Sequence, residues 1–332
     1  MEIQKPYLLF TGDADDRVSA KTAIGIAEFR PEFCVGYHSL AGAKLTIANL
    51  PKLTIAEAKA RGAKTFVLGL ANSGGYIAAS WLPAILTAIS QGFDIASGLH
   101  ERLEHVAPIR EAAEKYKVKL HNVRFNNNKI NTATGAKRQG KRILTIGTDC
   151  SVGKMYTALA VEKALNECGK KAYFVATGQT GILINSSGIA IDAVIADFIA
   201  GAVEYLTPDI AEDEYYVLEG QGSLYHPSFA GVSLGLLHGA AADYLILCHD
   251  PTRQHMRHLP DYKLASLKET IRLNEQLGSL TNPKVKTIAI SCNTSSMNEA
   301  DALSYLAKIE QELALPATDA YRFSAKKLVK FL

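Results

Sequence analysis

The chain has 332 residues, enough for two domains of about 150 residues each. Hydrophobic residues make up 48%, which supports a sizeable core and excludes bulk disorder, and a net charge of +3 gives no sign of a nucleic-acid or anionic-membrane surface. The five cysteines (Cys34, Cys150, Cys168, Cys248 and Cys292) form no C-x-x-C pair, which argues against a zinc knuckle and against a secreted disulfide framework.

Lys5 and Pro6 lead into a short apolar run without a signal-peptide pattern, so a first strand and a cytoplasmic protein are expected. Strands are read at 7–11, 33–37, 65–70, 94–97 and 119–123, with helices at 21–29, 55–61, 78–91 and 105–116. This alternation predicts a parallel sheet covered on both faces. Gly12-Asp13 and the segment 70–75 follow strands, where open α/β sheets bind ligands, but neither forms a G-x-G-x-x-G fingerprint, so support for dinucleotide binding is weak. No Asp, Glu, Lys or Arg occurs between Thr65 and Phe93, yet the loop signal Ala71-Asn72-Ser73-Gly74-Gly75-Tyr76 divides that stretch into a buried strand and a core helix rather than a membrane span. Asn126–Gly140 is polar and glycine-punctuated, like a linker, and its Lys/Arg cluster from Lys137 to Arg142 reads as a solvated face. The chain is therefore divided into a Rossmann-like α/β domain, 1–138, and a P-loop NTPase-like domain with a doubly wound parallel sheet, 139–332.

The second half restarts with the apolar strand Ile143–Ile146, followed by Gly147-Thr148-Asp149-Cys150-Ser151-Val152-Gly153-Lys154 and a helix from Met155 to Cys168. Strand, glycine-rich turn, lysine and helix make a phosphate-binding loop: close backbone approach, the helix N-terminus and the lysine charge all favour an anion. Five residues, rather than four, separate its glycines, and Met155 stands where Ser or Thr normally offers a hydroxyl to Mg²⁺. The stretched spacing resembles the loop of dethiobiotin synthetase and its relatives, whereas the missing hydroxyl weakens an ATP-hydrolysing use. Cys150, inside an anion-binding loop that would stabilise a thiolate, is a conceivable acyl acceptor.

Further strands are read at 172–176, 215–218, 244–248 and 286–291, with helices near 192–205, 264–277 and 298–313 and a short strand–helix tail. Val175-Ala176-Thr177-Gly178-Gln179-Thr180-Gly181 suits close approach to a ligand, with Thr177, Gln179 and Thr180 as hydrogen-bonding groups. Asp192 and Asp197 fall in one expected helix, where they would share a face, turned to the P-loop or capping and solvating the helix. Tyr215–Gly222 is a hydrophobic strand ending in Glu219, resembling a Walker B strand and the glutamate-glycine turn of the dethiobiotin and cobyric acid synthetase group. Glu219 is thus a candidate for metal contact or general base. His226 and His249 follow strands at the same edge and are candidate catalytic groups, as is Asp197. Gln221, Ser223, Arg253 and Arg257 are candidate substrate contacts, the two arginines as a fork for carboxylates. Asn293, at the end of the last major strand, occupies the adenine-recognition position of P-loop relatives.

In this order, GTDCSVGK, FVATGQTGILI, VIADFIAGAVEYL, EGQGSLYHPSFAGVSLGLLHG, LCHDPTRQHMRHLPDY and LTNP resemble a two-domain P-loop family long known only as a domain of unknown function. A characterised branch, the DgcN type, comprises D-glutamate N-acetyltransferases. The resemblance spans nearly the whole chain and is densest from Ile143 to Pro283. It implies acetyl transfer from acetyl-CoA to D-glutamate, with Gly147–Lys154 on the donor's phosphates, Glu219 or His226 taking the amine proton, Arg253 and Arg257 on the substrate carboxylates, and the Gly220–Gly222 amides facing the oxyanion. A small-molecule amino-acid substrate and a homo-oligomer are expected, with no resident metal and neither nucleic acid nor membrane as partner. The alternatives are an ATP/Mg-dependent ligase or kinase of the dethiobiotin synthetase type, which Glu219 favours and Met155 disfavours, and a nucleotide-binding regulatory module.

Overall fold

The computed structural model describes residues 3–17, 19–70, 74–125 and 129–332, and the chain packs as two compact units. The first holds residues 1–127 and 179–190; the second holds 128–178 and 191–332. The segment 179–190 thus leaves the second half of the sequence to pack within the first unit.

In the first unit the elements run β1 (Tyr7–Gly12), α1 (Lys21–Phe29), β2 (Cys34–Ser39), α2 (Ile55–Ala60), β3 (Thr65–Leu68), α3 (Leu82–Ser90), β4 (Asp94–Ser97), α4 (Ala107–Tyr116) and β5 (Leu120–Asn122). The five strands form a parallel sheet in the order β2-β1-β3-β4-β5. Strand β1, flanked by β2 and β3, is buried along its whole length, as an interior strand of a sheet covered on both faces must be. Its Leu8 and Phe10 join Phe66, Leu68, Ile85 and Ile89 in one apolar cluster, each worth about 1.5–3 kcal/mol on burial. Helix α2 starts at a capping box in which Thr54 and Glu57 satisfy each other's backbone amides. The turn expected at 71–76 falls partly on residues 71–73, and the start of the linker on 126–128, both outside the described residues.

The second half continues with β6 (Lys141–Gly147), α5 (Lys154–Glu167), β7 (Ala172–Val175), α6 (Gln179–Asn185), α7 (Ile199–Leu206), β8 (Tyr215–Leu218), α8 (Ala230–Ala240), β9 (Tyr244–His249), β10 (His255–Met256), β11 (Leu259–Lys263), α9 (Leu267–Gly278), β12 (Lys286–Cys292), α10 (Glu299–Leu313) and β13 (Ala317–Thr318). Six of its strands form a parallel sheet in the order β13-β12-β9-β6-β8-β7. The loop-bearing β6 therefore lies inside the sheet, flanked by β8 and β9, whose ends carry Glu219 and His249. Among the described residues no helix is long and apolar enough to cross a membrane.

Several expectations need correction. The segment after Gly178 is not a loop: α6 starts at Gln179 and belongs to the first unit, where Thr180 Oγ1 lies 3.1 Å from Thr22 Oγ1. Asp192 and Asp197 sit on two separate 3₁₀ turns, Ile191–Ala193 and Ala196–Phe198, because Ile195 between them is extended (ψ 137°). They do not share a helical face. Helix α8 went unread because its glycines are poor helix formers. Two of them are steric requirements: a Cβ on Gly235 would lie 2.6 Å from Ile199 Cγ2, and one on Gly239 2.3 Å from the Ala200 carbonyl. The segment read as polar after β9 contains an antiparallel hairpin, β10–β11.

The basic cluster is not a solvated face either. Arg142 is buried, and its guanidinium donates to the carbonyls of Arg138, Gln139, Gly140, Thr207 and Pro208. Arg138 reaches the C-terminal ends of two helices at once, donating to the Thr207 carbonyl at α7 (3.0 Å) and to the Gly239 carbonyl at α8 (2.6 Å). Last-turn carbonyls have no partner within their own helix, and a cation there also meets the negative end of the helix dipole. Replacing Arg138 by Met should leave the Gly239 carbonyl unpaired and the Thr207 carbonyl with Arg142 alone, and lower stability by about 2 kcal/mol, read as a fall in urea midpoint at unchanged slope.

Candidate functional site

The site is built around the turn from β6 to α5. Ser151 (φ 54°) and Gly153 (φ 97°) take left-handed conformations on either side of Val152, curling the backbone into the nest that presents amides to an anion. Among the described residues, the amides of Ser151, Val152 and Gly153 meet no protein acceptor. The turn is pinned from outside: the Thr148 amide donates to the Cys248 carbonyl on β9 (3.1 Å), and Ser223 Oγ donates to the Thr148 carbonyl (3.2 Å).

Lys154 is only 6% exposed, and its ammonium curls back to donate to the Asp149 carbonyl at 2.7 Å. Burial pushes its pKa down, against the pull of Cys150, Cys248, Asp149 and Glu219. The lysine crosses Gly147 so closely that a Cβ there would lie 3.0 Å from Nζ. Asp149 is fully buried. Its Oδ1 accepts from the Cys150 amide (2.6 Å); its Oδ2 accepts from Arg253 Nη1 (2.8 Å) and from the Arg257 amide (2.7 Å). Arg253 Nη1 also donates to the Cys150 carbonyl (2.5 Å), and Arg257 donates to Ser151 Oγ. The two arginines therefore brace the loop, rather than standing as a free fork for substrate carboxylates.

Glu219 lies at the end of β8 and is 5% exposed. Burial pushes its carboxyl up to about 7, although the amides of Thr177 (3.0 Å) and Gly178 (3.1 Å), the Gln221 side chain (3.3 Å) and the Lys154 charge all favour the ionised form. A group poised there accepts a proton near neutral pH. Thr177 Oγ1 donates to the Glu219 carbonyl (2.6 Å), so the Thr177-Gly178 turn forms the wall of the carboxyl's pocket. Gly178 lets these side chains approach closely: a Cβ there would lie 2.9 Å from Glu219 Oε1 and 2.6 Å from Gln221 Nε2, so one of them would have to shift. Gly220 packs against β6, where a Cβ would lie 1.7 Å from the Thr145 carbonyl. Its amide donates to Thr145 Oγ1 (2.9 Å), so Gly220 does not face an oxyanion as expected.

The two histidines differ. His249 Nδ1 is hydrogen-bonded to Thr148 Oγ1 (3.1 Å), and burial pushes the imidazole down to about 4. It is therefore neutral at pH 7, a poor base there, and a support for the loop. His226 is 2% exposed, packs against Phe229 with ring centroids 4.5 Å apart and the rings tilted by 33°, and accepts the Ser228 amide on Nδ1 (3.2 Å). One side-chain ligand atom each from His226, Asp149 and Cys150 lie within 4.8 Å of one another. This trio is poorly suited to a cation, since Asp149 is already filled by three donors and Lys154, Arg253 and Arg257 surround it. Burial pushes the Cys150 thiol up, outweighing the nearby Lys154, so the loop does not stabilise a thiolate as expected.

Asn293 sits beside the loop, its Cβ 4.0 Å from the position of a Cβ on Gly153, and its Oδ1 accepts the Ser295 amide (3.2 Å). Gln179 opens α6 in the first unit, packed against Gly98. Asp197 is exposed on its 3₁₀ turn and makes none of the bonds in this network. Sequence reasoning missed Thr145, a buried hydroxyl in the middle of β6 that ties the ends of β6 and β8 together through Gly220 and the Leu218 carbonyl (3.2 Å). Its signal is a lone polar residue within an apolar strand. Also missed was the Thr157–Ser291 hydroxyl pair (2.8 Å), which ties α5 to β12.

Residues 129–329 match a family described as a P-loop domain of unknown function, DUF1611_C, and residues 38–126 match its Rossmann-like partner, DUF1611_N. A protein of Tritonibacter scottomollicae named D-glutamate N-acetyltransferase is 49% identical over 330 residues, covering 99% of each chain. A Pseudoalteromonas protein of the same name is 47% identical over 329 residues, again covering 99% of each. The crystal structure of a DUF1611 family protein from Anabaena variabilis superposes with a TM-score of 0.85 at 27% identity, covering 98% of both chains.

The bracing role of Arg253 has a measurable consequence. Arg253→Gln should strand the Asp149 carboxylate in the interior and cost about 3 kcal/mol of stability, seen as a lowered urea midpoint without any substrate present. An arginine that served only as a substrate anchor would leave the midpoint unchanged and raise KM alone.

Proposed function

Because the chain belongs to the two-domain DUF1611 family, we propose that it catalyses the reaction its relatives at 49% and 47% identity are named for: transfer of an acetyl group to the amine of D-glutamate. The donor in this proposal is acetyl-CoA. The observation that carries it is Glu219, a buried carboxyl held at about 7 beside the P-loop. The acceptor amine is an ammonium at neutral pH and must lose a proton before it can attack a carbonyl. A base with a pKa near the working pH does this best.

Base and loop lie together, which supports a particular reading of what the loop would hold. Were the loop to grip the phosphates of acetyl-CoA, the pantetheine arm would carry the thioester away from Glu219. We therefore place the acyl carbonyl and the acceptor at the loop. The free amides of Ser151, Val152 and Gly153 and the Lys154 charge then stabilise the negative charge that develops as the amine attacks. Glu219 takes the ammonium proton, the new C–N bond forms, and CoA leaves as the thiol. An ATP-dependent ligase is less well served by this site. Met155 offers no hydroxyl to a nucleotide-bound Mg²⁺, and one Glu219 oxygen is taken up by the Thr177 and Gly178 amides.

Purified protein given acetyl-CoA and D-glutamate should release free thiol and form N-acetyl-D-glutamate; ATP-dependent ADP formation with no thiol release would reject the proposal. In the wild type, kcat/KM should rise with pH through about 7 as Glu219 ionises. Glu219→Gln should lose about 10²–10⁴-fold and with it that pH limb. Stability should show the opposite trend. The folded pKa lies above the unfolded value of 4.5, so the contribution of Glu219 is complete below pH 4.5 and is lost as pH rises through about 7. The Glu219→Gln variant should therefore gain on the wild type in urea midpoint across that interval.

A further inference from the structure

His226 is 2% exposed, and its Nε2 has no hydrogen-bond partner among the described residues. A buried polar atom without a partner costs roughly 1–3 kcal/mol, so it calls for an explanation. The other ring nitrogen supplies part of one. Nδ1 accepts the Ser228 amide at 3.2 Å, and an atom that accepts cannot carry the proton. In the neutral imidazole the hydrogen therefore sits on Nε2, making it an unspent donor rather than a base. The ring packs against Phe229, tilted by 33°, and one of its nitrogens lies within 4.8 Å of both Cys150 Sγ and an Asp149 oxygen.

That donor has no use in the resting protein. Asp149 already accepts from Arg253 Nη1 and from the amides of Cys150 and Arg257, and the Cys150 thiol, kept protonated by burial, is a weak acceptor. A metal would need the Nε2 lone pair, which would force the proton onto Nδ1 against the Ser228 amide. What remains is an acceptor that arrives with the substrate.

We propose that His226 is a catalytic hydrogen-bond donor: its Nε2–H binds the acyl oxygen of the thioester and strengthens that bond as the oxygen becomes an oxyanion. This rests on the acetyl-transfer reading and adds a neutral side-chain donor to its oxyanion site, alongside the Lys154 charge and the amides of Ser151, Val152 and Gly153. The atoms balance without a proton passing through His226. The ammonium of D-glutamate gives one proton to Glu219. The amine nitrogen then bonds to the carbonyl carbon, and the oxyanion is held by Nε2–H and the loop amides. As the C–S bond breaks, the remaining surplus proton of the nitrogen leaves with the CoA sulfur, giving the amide and free thiol. A neutral donor suits this task because it stays protonated throughout and competes with no base.

Two measurements test it. On the intact wild-type protein, ¹⁵N–¹H correlation spectra of the histidine side chains, with His226 assigned through a His226→Gln variant, should show its neutral ring protonated on Nε2. In kinetics, His226→Phe keeps an aromatic ring against Phe229 and removes the donor, and should lower kcat by about 10²–10³-fold with little change in KM for D-glutamate. His226→Gln, which retains an N–H donor, should recover part of that loss, and both variants should keep the pH limb near 7 that belongs to Glu219. A ring protonated on Nδ1, an unchanged kcat in His226→Phe, or loss of that pH limb in both variants would each overturn the assignment while leaving acetyl transfer in place. A wild-type enzyme inert toward D-glutamate and acetyl-CoA would instead reject the acetyl-transfer reading, and the assignment with it.

Discussion

The site depends on the carboxylate of Asp149, buried completely and surrounded by donors. It bonds to the amide of its neighbour Cys150, the guanidinium of Arg253 and the amide of Arg257, while its own carbonyl accepts the Lys154 ammonium. A charge this deep is tolerable only when fully paired. Pairing draws the β6–α5 turn and the segment before the β10–β11 hairpin together. Thr148 is fixed from β9 and Ser223 reaches over from beyond β8, and both bonds hold the turn that carries the nest.

The same constraint fixes the electrostatics. Lys154 is folded back onto the loop and buried beside Glu219, yet desolvation dominates both: the amine is pushed down and the carboxyl up. In the proposed reaction the buried acid near neutrality would be the base, and the loop amides and the His226 imidazole N–H the oxyanion donors. An acyl transfer to an amine needs both together. Thr145, Thr177, Gly178 and Gly220 hold Glu219 and the end of β8 in place through bonds within the protein.

Much of this could be read from the sequence. Apolar runs that end in small residues place β6, β8 and β9 correctly, and GTDCSVGK and LEGQG locate the loop and Glu219 before any coordinates. Side-chain partnership was harder to read. Arg253 and Arg257 have the composition of a substrate clamp, and only the fold shows them turned back onto the loop. Gly220 looks like a free amide, yet its N–H is taken by Thr145 from a neighbouring strand. Helix α8 hid behind glycines that are poor helix formers but are demanded by close packing on α7. Segment 179–190 reads as part of the second half, because local pattern does not say which core a helix joins. In each case the deciding contact lies far away in sequence.

The central claim is that the P-loop here serves the reacting end of the donor, not its phosphates. The direct measurement is the penalty of Lys154→Ala with acetyl-CoA compared with S-acetylpantetheine, which carries the thioester but no phosphate. If the loop faces the acyl group, kcat/KM should fall by the same factor with both donors. A penalty seen with acetyl-CoA that disappears with S-acetylpantetheine would put the loop on the phosphates and contradict the account.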